Sequence, residues 1–254
     1  MATEKIIPIA DGFWNIRGVH RFAGLVNIGT QSSLVRLSSG KFVLLDAYEL
    51  KGDILTQVMD LTRQGEDIEA VLNLHPYHTL YVEDVAKLLP HAKFYGTSRH
   101  PVEVPSVEWE KLSVEDPALH ALYEEDLVFT VPRGVYMVHP QDEKVHFSSV
   151  LALHKSSGAL HVDDTLMWVP VPVVGGVSFH PTLKKALEPR AGAAGEFREW
   201  ALSLSALCGQ ARQLCTAHAS LPPKSNKTPV ATHVREALAK VEDILSAHEA
   251  KFGK

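Results

Sequence analysis

Ala70-Val71-Leu72-Asn73-Leu74-His75-Pro76-Tyr77-His78-Thr79 is an apolar run that stops on two histidines. A short apolar run closed by a proline-containing turn reads as a buried strand emptying into a loop. Loops set on rigid strand ends are where chemistry is usually carried. His75 and His78 therefore stand where a ligand can reach them, either as metal ligands or as turn histidines bonded to backbone carbonyls.

Upstream of this stretch, short apolar runs at 5–9, 13–16, 24–28, 33–37 and 42–45 alternate with Gly- and Ser-containing breaks. That pattern predicts an antiparallel meander whose last two strands form a hairpin around Ser38-Ser39-Gly40-Lys41. The meander ends on Asp46, a carboxylate at a strand terminus. Residues 51–64 place Ile54, Leu55, Val58, Met59 and Leu61 at helical intervals, with Gly65 as the stop. Downstream, 68–74 reads as strand, 82–89 as a helix closed by Pro90, and 93–95 as strand. Strand, helix and strand in so short a span make a parallel crossover, so the predicted sheet is mixed. Residues 97–117 read as a polar surface excursion.

A second β-rich block follows at 127–131, 134–138, 149–153 and 159–162, the last two joined by a turn at 154–158. Its final strand runs into Asp163-Asp164-Thr165-Leu166, again ending on carboxylates. Two prolines and a Gly pair make 170–176 an irregular loop. From Gly195 the spacing of Phe197, Trp200, Ala201, Leu204 and Leu207 is helical. Residues 212–216 read as a strand that delivers His218. Thr228-Pro229 opens a final helix with Thr as N-cap and one apolar stripe of Val230, Val234, Leu238, Val241, Ile244 and Leu245.

The chain of 254 residues is 45% hydrophobic and 22% charged, with a formal net charge of −5. No basic excess points to nucleic acid or an anionic membrane, so the expected partner is a small molecule or a protein, with a small-molecule substrate as the leading expectation. Oligomeric state is left open. No apolar stretch is long enough to span a bilayer. Residues 1–11 lack the basic start and apolar block of a signal peptide, so the expected compartment is the cytosol. Cys208 and Cys215 read as reduced, buried small hydrophobes. The length suits one α/β domain over residues 1–254. No nucleophile elbow, phosphate loop or dinucleotide fingerprint is present.

Four stretches together resemble the metallo-β-lactamase superfamily. Lys41-Phe-Val-Leu-Leu-Asp46 is similar to that family's strand ending in its first Asp. Val71 to Leu80 resembles the strand and loop carrying the His-x-His-x-Asp-His motif. Leu160-His-Val-Asp-Asp-Thr-Leu166 is similar to the stretch with the bridging Asp, with Asp163 where Gly is usual. Leu214-Cys-Thr-Ala-His218 resembles the strand that delivers the last His.

The resemblance implies a four-layer α/β/β/α sandwich with two mixed sheets. His75 falls on the motif's first His, while Tyr77, Thr79 and Leu80 replace its other ligands. His146 matches the third-His strand after a one-residue shift. The implied ligands are His75, His78, His146, Asp164 and His218, holding one Zn or Fe ion. A metal-activated water would then hydrolyse a small ester, thioester, lactone or phosphoester, with Asp164 and Tyr77 as the catalytic side chains and Tyr77 hydrogen-bonding the substrate. Asp46 is expected to organise hydrogen bonds around the site. The alternative is an inactive binding or interaction module on the same fold. His20, His91, His100, His120, His233 and His248 are expected to be solvated, and His180 is the unmatched histidine to watch.

Overall fold

The computed structural model describes residues 4–22, 26–27, 29–169, 176–218, 221 and 228–254. Its first half contains β1 (Lys5–Ala10), β2 (Phe13–Gly18), the short pair β3 (Arg21–Phe22) and β4 (Val26–Asn27), β5 (Thr30–Arg36) and β6 (Phe42–Leu45). Then come α1 (Gly52–Leu61), β7 (Ile68–Leu72), α2 (Val82–Leu88) and β8 (Lys93–Tyr95). These build a six-stranded sheet in the order β1-β2-β5-β6-β7-β8. Pairing is antiparallel as far as β6 and parallel from β6 through β7 to β8, as the crossover spacing predicts.

The chain continues through α3 (His100–Glu103), α4 (Pro117–Leu122), β9 (Leu127–Thr130), β10 (Leu151–His154) and β11 (Ala159–Asp163). It finishes with β12 (Leu166–Val169), β13 (Gly176–Phe179), α5 (Leu183–Ala186), α6 (Ala193–Leu207), β14 (Gln213–Thr216), α7 (Val230–Lys240) and α8 (Glu242–Phe252). The second sheet runs β14-β11-β10-β9, with β14 parallel to β11.

Three apolar layers separate four structural layers. Strand β6 shows why: Phe42 and Leu44 point to one face and pack with Ile54, Val58, Val82 and Val85 of α1 and α2. Val43 and Leu45 point the other way, joining Leu72, Val150, Ala152 and Ala159 between the sheets. A strand buried on both faces must be apolar throughout rather than alternating. Behind the second sheet, Leu151, Leu153, Leu160 and Val162 meet Phe197, Trp200, Leu204, Val234 and Leu238 of α6 and α7. The expected α/β/β/α sandwich is what the chain forms.

Several local expectations are corrected. Helix α1 ends at Leu61, before Gly65, because the Thr62 hydroxyl donates to Val58 O and accepts from Gly65 N. Arg63, Gln64 and Gly65 then all take positive φ. Residues 134–138 form no strand: only Val135 bridges, to Leu187, and Gly134 packs so tightly that a Cβ there would lie 1.9 Å from Ala193 O. The 97–117 excursion is not merely superficial, since it carries α3 and buries Val104, Val107 and Val114. The closing helix is two, broken at Val241, and Pro229 rather than Thr228 occupies the cap position. The break sets Glu242 and Glu249 of α8 at 2.8 and 2.9 Å from Arg198 of α6. The loop expected at 170–176 lies outside the described residues except for Gly176, which opens β13; most of the 24–28 run lies outside them too. Cys208 and Cys215 are buried and unpaired. Among the described residues no helix is long and apolar enough to cross a membrane.

Candidate metal centre

The site is assembled where strand ends of both sheets meet. Past β7, the chain is held by Asp46, whose Oδ1 accepts Leu74 N at 2.8 Å and His75 N at 3.2 Å. Asn73 reaches both neighbours, accepting Ala47 N at 3.3 Å and donating to Tyr95 O at 3.1 Å. Asp46 adopts φ 57 and Asp163, at the end of β11, φ 39. Positive φ is costly for residues other than glycine and persists where surrounding bonds over-determine it. The conformation explains why glycine suits the Asp163 position.

On the second sheet, Thr165 anchors the turn after Asp164, accepting Ser149 N at 3.0 Å and donating to Phe147 O at 3.0 Å. Strand β14 ends under a clamp from buried Arg17, whose guanidinium donates to Thr216 O and, at 2.9 Å, to Ala217 O. The next residue is His218, whose Nδ1 meets Gly29 O at 2.8 Å and so turns Nε2 toward Asp164.

Asp164 is the hub. Its Oδ1 lies 2.9 Å from His218 Nε2, and its Oδ2 lies 3.4 Å from His75 Nε2 and 4.0 Å from His78 Nε2. His75 and His78 stack with ring centroids 4.1 Å apart. Burial would lower the His218 pKa, but the Asp164 carboxylate and the Gly29 carbonyl outweigh it and raise it to about 9. Burial would raise Asp164, but His218 and His75 hold it well below the ordinary carboxylate range. For His75, burial and then His78 dominate, and the ring is pushed well below the usual histidine range. Its Nδ1 accepts Tyr77 N at 3.2 Å, so the neutral ring carries its proton on Nε2, which has no hydrogen-bond partner among the described residues.

Donor atoms of His75, His78 and Asp164 all lie within 4.8 Å of one another. Two imidazoles and a carboxylate are a donor set that zinc and iron accept. The orphaned, buried Nε2 of His75 fits that use; ligation there displaces its proton. His146 stands outside this set: it stacks on Tyr77 at 4.2 Å, its ring 6.1 Å from that of His75. It still lines the same cavity of about 130 Å³, with His20, Thr30, Ala47, Tyr77, His78, Leu80, Tyr81, Asp164 and His218. Tyr77 offers this cavity its ring, held between His146 and the Arg99 guanidinium 4.8 Å from its centroid, while its hydroxyl is buried.

Beneath the hub, His161 joins the two sheets. Its Nε2 lies 3.0 Å from Asp46 Oδ2 and 3.2 Å from Asp163 Oδ1, and its Nδ1 lies 3.0 Å from Ser33 Oγ. Burial is again outweighed by the two carboxylates, raising His161 to about 10. Asp46 is raised by burial and by Asp163. The expectation that Asp46 organises hydrogen bonds agrees with these contacts.

Sequence reasoning missed His161, Arg17 and His20. His161 had a usable signal, since it sits two residues before Asp163 on one face of β11; Arg17 had none. Of the histidines expected to be solvated, His100, His233 and His248 are buried. His91 and His120 bond Gly65 O and Val114 O. Of these six, His20, at the cavity mouth, and His91 are exposed. His180 bonds Thr182 and stays outside the ligand set.

No family model matches the sequence, and no curated protein matches it either. Solved structures do match. TMB-1 shares 12% identity at a TM-score of 0.63, over 95% of this chain and 100% of that one. A metallo-β-lactamase from Pontibacter korlensis shares 10% at 0.59, over 93% and 99%. FIM-1 from Pseudomonas aeruginosa, solved in a mono-zinc form, shares 11% at 0.58, over 94% and 96%. The likeness read from four strand ends is thus borne out in three dimensions: this chain has the metallo-β-lactamase fold.

Proposed function

We propose that the chain is a divergent member of the metallo-β-lactamase superfamily and a metal-dependent hydrolase of a small ester, thioester, lactone or phosphoester. The observation that carries this reading is the convergence of His75, His78 and His218 on Asp164. His75, His78 and Asp164 would hold a zinc or iron ion, with His218 as a further ligand through Nε2. Such an ion supplies Lewis acidity toward water and toward a carbonyl or phosphoryl oxygen. Asp164 orients His218, and His146 and His20 face the substrate from the cavity wall. Tyr77 shapes that wall with its ring. We place the protein in the cytosol as one domain acting on a small molecule, in keeping with its two unpaired cysteines.

A second reading, an inactive binding module, rests on Leu80, which occupies a motif ligand position and is 70% exposed. Metal analysis of protein purified without added metal separates the two. The hydrolase reading expects at least about one equivalent of zinc or iron, and turnover of nitrophenyl ester, thioester or phosphodiester probes that Asp164→Ala abolishes. Less than about a tenth of an equivalent, with thermal stability unmoved by added metal, overturns it.

A further inference from the structure

We propose that a second divalent cation binds one layer deeper, on Asp46, Asp163 and the Nδ1 side of His78. The inference rests on the metal reading above, because His78 is common to both sets. One donor atom from each of these residues lies within 4.8 Å of the other two. Asp46 and Asp163 are fully buried, and two facing carboxylates are costly to bury without enough positive charge beside them. His161 supplies one charge when protonated, shared between both at 3.0 and 3.2 Å.

Two further observations point to a cation. Oδ2 of Asp163 is buried and has no N–H or hydroxyl donor among the described residues, although a buried carboxylate oxygen normally has one; the Asp163 carboxylate closes instead on the facing Asp46 carboxyl group. The His78 ring lies between the two carboxylates, with Nδ1 4.0 Å from Asp163 Oδ1 and Nε2 4.0 Å from Asp164 Oδ2. Neither nitrogen is committed to a hydrogen bond among the described residues; Nδ1 faces the deep set and Nε2 the outer one, and filling both sites makes the ring a bridging imidazolate whose N–H proton is released to solvent. Two carboxylate oxygens and one imidazole suit zinc, iron or manganese. His161, bonded to both carboxylates from behind, would orient them as a carboxylate–histidine support does. The expectation of one ion followed from the motif positions lost to Thr79 and Leu80; Asp46 and Asp163 stand at other positions, and that loss does not bear on them.

Equilibrium dialysis of the full chain against Zn²⁺, with bound metal counted by mass spectrometry, tests this on wild type, Asp163→Asn and Asp164→Asn. Asparagine tolerates the positive φ of Asp163. The expected result is about two equivalents in wild type and about one in each variant. If wild type and Asp163→Asn each take about one while Asp164→Asn takes none, the deep set is refuted and the outer site stands. No binding in wild type refutes both. The wild-type count holds whether or not the variants fold. Titrating wild type with Co²⁺ gives an independent reading: absorption that stops growing at about one equivalent overturns the proposal.

Discussion

The layer between the two sheets has two halves built on the same strands, and they are held together by opposite means. At one end the inward positions are Phe13 on β2, Val35 on β5 and Ala159 on β11. Two residues along each strand, on the same face, they become Asn15, Ser33 and His161; two further on come Arg17, Gln31 and Asp163. All six polar side chains are buried. Asn15 bonds Gln31 at 2.9 Å and Ser33 at 3.1 Å, and Gln31 reaches Asp163 at 3.3 Å. The apolar half gains stability from non-directional burial, whereas the polar half depends on every donor finding its acceptor. One is a foundation tolerant of reshaping, and the other is a scaffold that fixes Asp46, His75 and Asp164 in place.

Removing the hub breaks this comparison most severely. Asp164→Ala is expected to remove the outer ion, about one equivalent of bound metal, and the stabilisation which that ion confers at saturation, about 2.7 kcal/mol at a hundredfold excess over Kd, should vanish from thermal melts. Next in size is His161→Leu, which leaves Asp46 and Asp163 buried without their shared partner. Urea denaturation should show a loss of about 3–5 kcal/mol, accompanied by lower metal content. In the apolar half, Leu72→Ala should cost about 2–5 kcal/mol by the same measurement yet leave bound metal unchanged. A loss of metal in that variant would erase the division of labour.

The pH response sharpens the contrast. His161 is raised from 6.5 to about 10, so in metal-free protein its contribution is fully present below pH 6.5 and is lost as pH rises through about 10. Urea midpoints should therefore fall across that window in wild type and flatten in His161→Gln. Smallest of all, Asp116→Ala removes the acceptor for Ala118 N at the start of α4 and should cost about 1 kcal/mol, with no effect at the site.

Much of the fold was legible because strand and helix periods are local. The apolar runs around Val43, Val71 and Leu160 are continuous because both faces are buried, and they give the two sheets directly. The break at Val241 was not legible, since the stripe from Val230 to Leu245 fits one helix as well as two; packing of α8 on α6 through Arg198 decided it. The absence of a strand at 134–138 came from contact between Gly134 and Ala193, far apart in sequence. At the site, His75, His78, Asp164 and His218 were named from strand ends, and the structure gathers them. His146 was named on register alone, and its ring went to Tyr77.

By itself, then, the sequence determined most strands of the two main sheets, which of them end on histidines or carboxylates, and that the reading leads to a sandwich of this class. Tertiary structure alone decided which ends meet. Asn15, Ser33 and Gln31 have the look of solvent-facing strand residues, and only the approach of β11 and β14 turns them inward. His161 has no chemistry in isolation; 115 residues of separation from Asp46 are closed by the packing of one sheet on the other. Periodicity is written into neighbouring residues, but a donor set is made of residues remote in the chain, and the distances between them exist only once both sheets have packed.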